Sequence, residues 1–368
     1  MTETKEKKDE GFLSSRGIKP SFQGYAIDAL GSMALGLFAS LLMGTIFNTL
    51  GNLLGDSAVG SFFGEIGTFA SQATGPAMAI AIGYALKAPP LVLFSLTGVG
   101  IAANTLGGAG GPLAVYFVAI IATEFGKLVS KQTRVDIIVT PGVTLLVGVG
   151  ASMLIAPAIG AFAVAIGDAI NWATTQQPFI MGILVSVIVG MVLTLPISSA
   201  AICAALGLVG LAGGAAHAGC CAQMVGFAVM TYKENGPGGL LAQGLGTSML
   251  QVPNILKNPR IWIPPTLTSA ITGPLATMLF KLELNGPPIA AGMGTSGMVG
   301  PVGVLTGWYN PSERAMELGA QALNPSTFDW VGLILISIVL PAILTYIFGE
   351  ILRRKGWIKP QDVVLDLG

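Results

Sequence analysis

The sequence predicts an all-α polytopic membrane protein, with about ten transmembrane helices in two repeat halves and with re-entrant glycine-rich hairpins. Composition is the first reason: of 368 residues, 52% are hydrophobic and 10% charged, and the mean hydropathy is +0.75, outside the range of a soluble domain. The second is a series of apolar runs approaching the roughly 20 residues that cross a bilayer. The third is the count of 51 glycines, which in lipid let helices approach closely and mark irregular backbone lining a cavity.

Residues 1–20 (MTETKEKKDEGFLSSRGIKP) are polar and lack the apolar core of a signal peptide. They read as a disordered cytoplasmic tail before a single transmembrane domain, residues 21–355. Tyr25 to Leu50 is the first spanning run, with Asp28 at its interfacial start. Residues 51–71, including Asp56 and Glu65, separate it from Ala73 to Leu86. Lys87 and the Pro89-Pro90 pair stop that helix and start another, because proline removes a backbone donor and restricts the residue before it. Leu91 to Ala103 ends in Asn104 and a helix break, Leu106 to Pro112 (LGGAGGP). Leu113 to Leu128 carries Glu124 and runs into the basic turn Lys127, Lys131 and Arg134, which the positive-inside rule places in the cytoplasm. Ile137 to Ile155 is expected to break early, at Thr140-Pro141-Gly142. Ala156 to Trp172, with Asp168 and Asn171, reads equally as a span or as an interfacial or re-entrant helix.

In the second half, Ile180 to Leu195 and Ile197 to Leu211 flank Pro196, a tight hairpin or a kink. Leu211 to Met224 (LAGGAAHAGCCAQM) holds the only histidine, His217, and reads as a second helix break before the run that ends at Tyr232. The polar stretch from Lys233 to Arg260 is too interrupted to span and is expected on the cytoplasmic side. Ile261 to Phe280 is a span. Gly286 to Trp308 is apolar yet studded with glycine and proline, which suits a re-entrant hairpin. Trp330 to Leu352 is the last span, stopped by Arg353, Arg354 and Lys355, and residues 356–368 form a cytoplasmic tail. With both termini inside, the number of spans is even.

The halves, about residues 73–155 and 178–280, repeat an order of events. Gly75-Pro76 answers to Gln177-Pro178, Gly107–Gly111 to Gly213–His217, and Thr140-Pro141 to Pro264-Pro265. Paired Gly/Pro-interrupted segments point to the binding site of a transporter.

His217 is the sharpest candidate for that site, since a titratable group inside a membrane needs a partner, a solute or water; the alternative is a satisfied packing histidine. Glu124 is either a solute site or the partner of Lys127 three residues on, and the ion pair is the favoured reading. Asn104, Thr105 and the free amides around Gly108 offer hydrogen bonds at a helix end. Gln223 follows His217 into the next run, and Thr295 and Ser296 sit at the tip of the 286–308 hairpin. The cysteines, Cys203, Cys220 and Cys221, lie in apolar runs without ligand spacing, so neither a disulfide nor a metal is expected. No nucleotide-binding loop is present and no cofactor is implied. The formal net charge of zero gives no reason to expect nucleic acid.

The run ALGSMALGLFASLLMGTIFNTLG (Ala29 to Gly51), the LGGAGGP loop and the GGAAHAGCC stretch resemble the membrane-spanning IIC components of the bacterial sugar phosphotransferase system, in a smaller branch without fused IIA or IIB domains. The resemblance covers roughly Gly24 to Leu352. It implies a homodimeric permease of the bacterial inner membrane that binds a sugar or sugar derivative, moves it by an elevator-like shift, and hands it to a separate phosphorylated IIB protein. Better-known members carry a glutamate in a Gly-Ile-Thr-Glu loop. The corresponding hairpin here, Gly292 to Pro301 (GMGTSGMVGP), has Thr295 and Ser296 but no acid. A membrane sensor that keeps the fold without transport stays open.

Overall fold

The computed structural model describes residues 12–55 and 57–365, and the expected disorder of residues 1–11 lies outside them. Phe12–Ser15 forms a helical turn, and the apolar Ile18 is buried. Among the described residues the chain is helical, and the only β pairing is the isolated bridge between Gly210 and Leu284. Four stretches are long and apolar enough to cross a membrane: Gln23–Leu54, Pro90–Val129, Asp136–Thr174 and Thr327–Arg354.

The first stretch, α1 (Gln23–Leu54), is one helix with two wide turns. It lies antiparallel to α2 (Ala58–Gln72) and α3 (Thr74–Ala85), so that Gly36 abuts Ala77, and Gly51 abuts Gly60 and Gly64. The Ser57 hydroxyl starts α2 by accepting the Gly60 N–H at 3.0 Å, an N-cap. Pro90–Val129 is turned back on itself. Its arms are α4 (Pro90–Gly107) and α5 (Gly111–Val129), and Val92 at the start of one packs on Gly126 near the end of the other. Gly108 makes the reversal at φ +52°, a backbone region that a side chain disfavours.

α6 (Asp136–Thr174) corrects two expectations, because neither Pro141 nor the start of Ala156–Trp172 interrupts it. A proline removes one hydrogen bond, and flanking turns held by neighbours absorb the loss. Thr144 lies by Gly126, Gly148 by Val99 and Ala122, and Ala156 near Gly107, so α4 and α5 brace α6 beyond Pro141. Its 39 residues extend about 58 Å, well beyond a ~30 Å hydrocarbon core.

The second bundle joins α7 (Pro178–Thr194), α9 (Gly210–Met230) and α12 (Ile263–Pro274) with the long C-terminal helix, here α14 (Thr327–Arg354). The expected second break is absent: Leu211 to Met224 lies wholly inside α9. Its small residues serve contact instead, with Gly214 against the Leu282 backbone and Gly219 against the Ser186 backbone. Hydroxyls tie the bundle further, Ser186 Oγ donating to Ser269 O at 2.7 Å and Thr345 Oγ1 to Thr268 Oγ1 at 2.9 Å. The run Ile197 to Leu211 is also corrected. Pro196 and the left-handed Gly207 confine its helix to α8 (Ser199–Leu206).

The stretch from Lys233 to Arg260 is polar, as its sequence says, but its middle is not surface. After α10 (Tyr232–Leu241), Gln243, Ser248 and Gln251 are fully buried. Their amides bond one another: Gln251 Nε2 donates to Gln243 Oε1 and Asn254 Nδ2 to Gln251 Oε1, both at 2.9 Å. Chain polarity predicts exposure only when no partners are available inside. The chain then returns through α11 (Val252–Lys257). The C-terminal residues close over this segment, where Val363 is buried and its carbonyl accepts from Asn235 and Gln251.

Lys19, Lys87, Lys127, Arg134, Lys257 and Arg353 gather at one end of the helices, with Lys281 and Arg314 at the other. At the basic end Arg353 pairs with Glu234 at 2.6 Å and donates to Met230 O, its side chain 14% and the glutamate's 9% exposed. Removing one partner strands a buried charge. Arg353→Met is expected to cost about 3–5 kcal/mol, read as a lower thermal midpoint in detergent, and an unchanged midpoint would show the pair to be inert.

Candidate functional site

Reversals of the chain from both ends meet at one point. From the basic end come the α4–α5 turn, ending at Pro112, and the tip of the buried polar segment, Gly246 to Met249. From the opposite end α7 descends to Thr194, the chain bends through Pro196, and α8 runs back. A second segment from that end leaves at Gly286, descends to a tip at Gly294–Met298, and returns as α13 (Val299–Tyr309), bringing Gly307 back beside Gly286. Direct bonds join the tips. Ser198 N donates to Ala109 O at 2.9 Å, Ser199 Oγ to Gly292 O at 2.6 Å, and Thr295 Oγ1 to Gly244 O at 2.5 Å.

Between the tips and one face of α1 lies a cavity of ≈ 60 Å³. Its walls are mainly apolar, with Leu37, Leu41, Leu193, Ile197 and Met293 prominent, and no lining residue is charged. Its side-chain polarity comes from the hydroxyls of Ser198, Ser199, Thr247 and Ser296. Three of these are engaged: Ser198 caps α8, Ser199 binds Gly292 O, and Thr247 accepts the Met249 N–H at 3.1 Å. Ser296 differs. It is 1% exposed, and its Oγ has no hydrogen-bond partner, an unmet donor and acceptor on a cavity wall. The backbone beside it is under strain, with Gly297 and Met298 left-handed in succession at φ +51° and +59°.

The other candidates are placed as follows. Thr295 is spent on Gly244 O. Gln223 lies outside the cavity wall but bonds toward it: its Oε1 accepts from Trp262 Nε1 at 2.9 Å and Thr194 Oγ1 at 3.2 Å, and Thr194 reaches Ser248 Oγ at 2.8 Å. His217 is fully buried in α9, its Nε2 2.8 Å from Ser337 Oγ and its ring nitrogens 3.6 Å from Cys221 Sγ. It touches Gly300 behind the hairpin tip and does not line the cavity. Glu124 pairs with Lys127 at 3.2 Å, the favoured reading of its spacing. Asn104, Thr105 and Gly108 lie on the α4–α5 turn beside Ala109 without reaching the cavity, whereas Pro112 does.

The sequence alone did not single out Ser198, Ser199 or Thr247. Pro196 was the available signal for the first two. Thr247 carried none, since its polar surroundings read as a surface loop.

Among known protein families, the model of the phosphotransferase system, EIIC, matches residues 27–365. No curated protein and no solved structure matches. The match runs from the start of α1 to the C-terminal residues packed over Asn235 and Gln251, so it takes in both bundles and every tip around the cavity. The chain therefore belongs to the phosphotransferase system EIIC family and is a membrane component of that system.

Proposed function

We propose that this protein is a permease for a small, neutral, hydroxylated solute, a sugar or sugar derivative, and that the solute binds where the chain reversals meet. One observation carries the reading: a buried hydroxyl, Ser296, stands unpartnered on the wall of a cavity built from broken segments of opposite polarity, the arrangement transporters use for solute sites. A lining without charge favours a neutral solute, because an ion stripped of water there would find no counter-charge. At 60 Å³ the cavity holds about four or five waters at roughly 10–15 Å³ each. A sugar therefore needs the tips to part, a movement that alternating access supplies.

Fewer than ten crossings fit this reading, since the α4–α5 turn also reverses at the cavity. Ile180 to Leu195 and Ile197 to Leu211 form one hairpin that enters and returns, as do the segments around Gly246 and Gly294. The basic end then faces the cytoplasm of a bacterial inner membrane, with residues 19 and 355 on that side. The transmembrane unit, residues 21–355, comprises repeat halves of about 73–155 and 178–280, works as a homodimer, and delivers solute to a separate IIB protein.

Uptake of labelled neutral sugars into proteoliposomes, with and without phosphorylated phosphotransferase proteins, tests the reading. Saturable uptake or binding of one of them is expected. Absence of both across neutral sugars and polyols, from protein that retains its helical circular dichroism, would sink it.

A further inference from the structure

A second and larger cavity, ≈ 790 Å³, lies at the basic end between α1, α3 and α11. It does not share the solute site: its α1 residues, among them Ser32, Leu35 and Ala39, follow a helical stripe on the side of α1 away from Leu37 and Leu41. It opens sideways, with Ala39 and Tyr84 exposed.

The cleft is polar at one end and apolar at the other. Gln23, Asp28, Tyr84 and Lys257 stand at its mouth at the basic end, and Leu35, Ala39, Ala77 and Leu250 line its depth. Along α1 it runs from Gln23 to Ala39, about 24 Å at 1.5 Å per residue. One leaflet of a bilayer with its headgroups is about 20–22 Å deep, half of the full 40–45 Å. Both signs of charge stand at the mouth. Among the described residues Lys257 has no acidic partner, and Asp28 accepts from Gln23 Nε2 at 2.7 Å but meets no cation.

We propose that this cleft binds one aminophospholipid of the adjoining leaflet, of the phosphatidylethanolamine class. Its phosphate lies on Lys257, its ammonium on Asp28, and an acyl chain fills the groove toward Ala39. A lipid with a phosphate and no ammonium, such as phosphatidylglycerol, satisfies Lys257 and leaves its headgroup facing an unanswered carboxylate.

Native mass spectrometry of the full-length protein in detergent, with phosphatidylethanolamine and phosphatidylglycerol added at equal concentration, tests this. Phosphatidylethanolamine is expected to dominate the bound fraction. Lys257→Gln is expected to lower it about fivefold, the equivalent of ~1 kcal/mol for one cation near a headgroup. Asp28→Asn is expected to shift the preference toward phosphatidylglycerol. Ala39→Phe, at an exposed position, is expected to expel the chain while the thermal midpoint holds. Equal retention of both lipids, or wild-type retention in Lys257→Gln and Ala39→Phe, would overturn the proposal. So would disulfide-linked dimers of Ser32→Cys that exclude lipid, since a second copy would then occupy the cleft.

Discussion

Ser296→Ala is expected to weaken solute binding about tenfold, and Ser296→Leu to abolish transport. The alanine variant removes one hydrogen bond, worth about 0.5–1.5 kcal/mol. It also relieves a buried hydroxyl that lacks a partner when the site is empty, so the empty protein is expected to gain slightly in thermal stability while solute affinity falls. That opposite movement separates a binding role from a structural one, which would lower both. Leucine needs space that a cavity of 60 Å³ shared with Met293 and Leu41 does not offer. Affinity and midpoint measured on the same preparations decide the matter, and alanine affinity equal to wild type would remove Ser296 from the site.

Gly219→Ala is expected to be strongly destabilising. A Cβ at Gly219 falls on the Ser186 carbonyl, and backbone on both sides leaves no flexible side chain to yield. The cost lies at or above the upper end of the about 1–3 kcal/mol typical of overpacking, because α7 and α9 have to separate and Ser186 then loses register with Ser269. Gly142→Ala supplies the control. Nothing lies within 4 Å of a Cβ there, and α6 continues through it, so alanine gains up to about 1 kcal/mol from helix propensity. The same chemical change is thus expected to have opposite signs at the two positions. Equal midpoints in detergent would contradict the close approach of α7 and α9.

These variants mark how far the sequence carries. Composition alone required helices in lipid. The positions of Gly108 and Pro196 marked true interruptions, because a left-handed backbone and a missing donor act locally. Glu124 and Lys127 paired as their spacing on one helix face implied. Of the candidate site residues the sequence offered, Ser296 alone lines the cavity.

Other readings failed where a local signal has two physical meanings. Glycines permit a break, and they also permit contact. At Gly108 nothing lies within 4 Å of a would-be Cβ and the chain turns; at Gly214 and Gly219 another backbone lies against the helix and holds it straight. Only the neighbour decides, and the neighbour, Ser186 or Leu282, is distant in sequence. The polar run around Gln243 and Gln251 follows the same logic, since amides look solvent-exposed until they are seen bonded to one another and to the C-terminal backbone. What the sequence by itself determined was the solvent of this protein and the helical form that lipid imposes, because unpaired backbone groups are too costly there. The tertiary structure decided which small residues are turns and which are contacts, and brought tips from opposite ends together around Ser296.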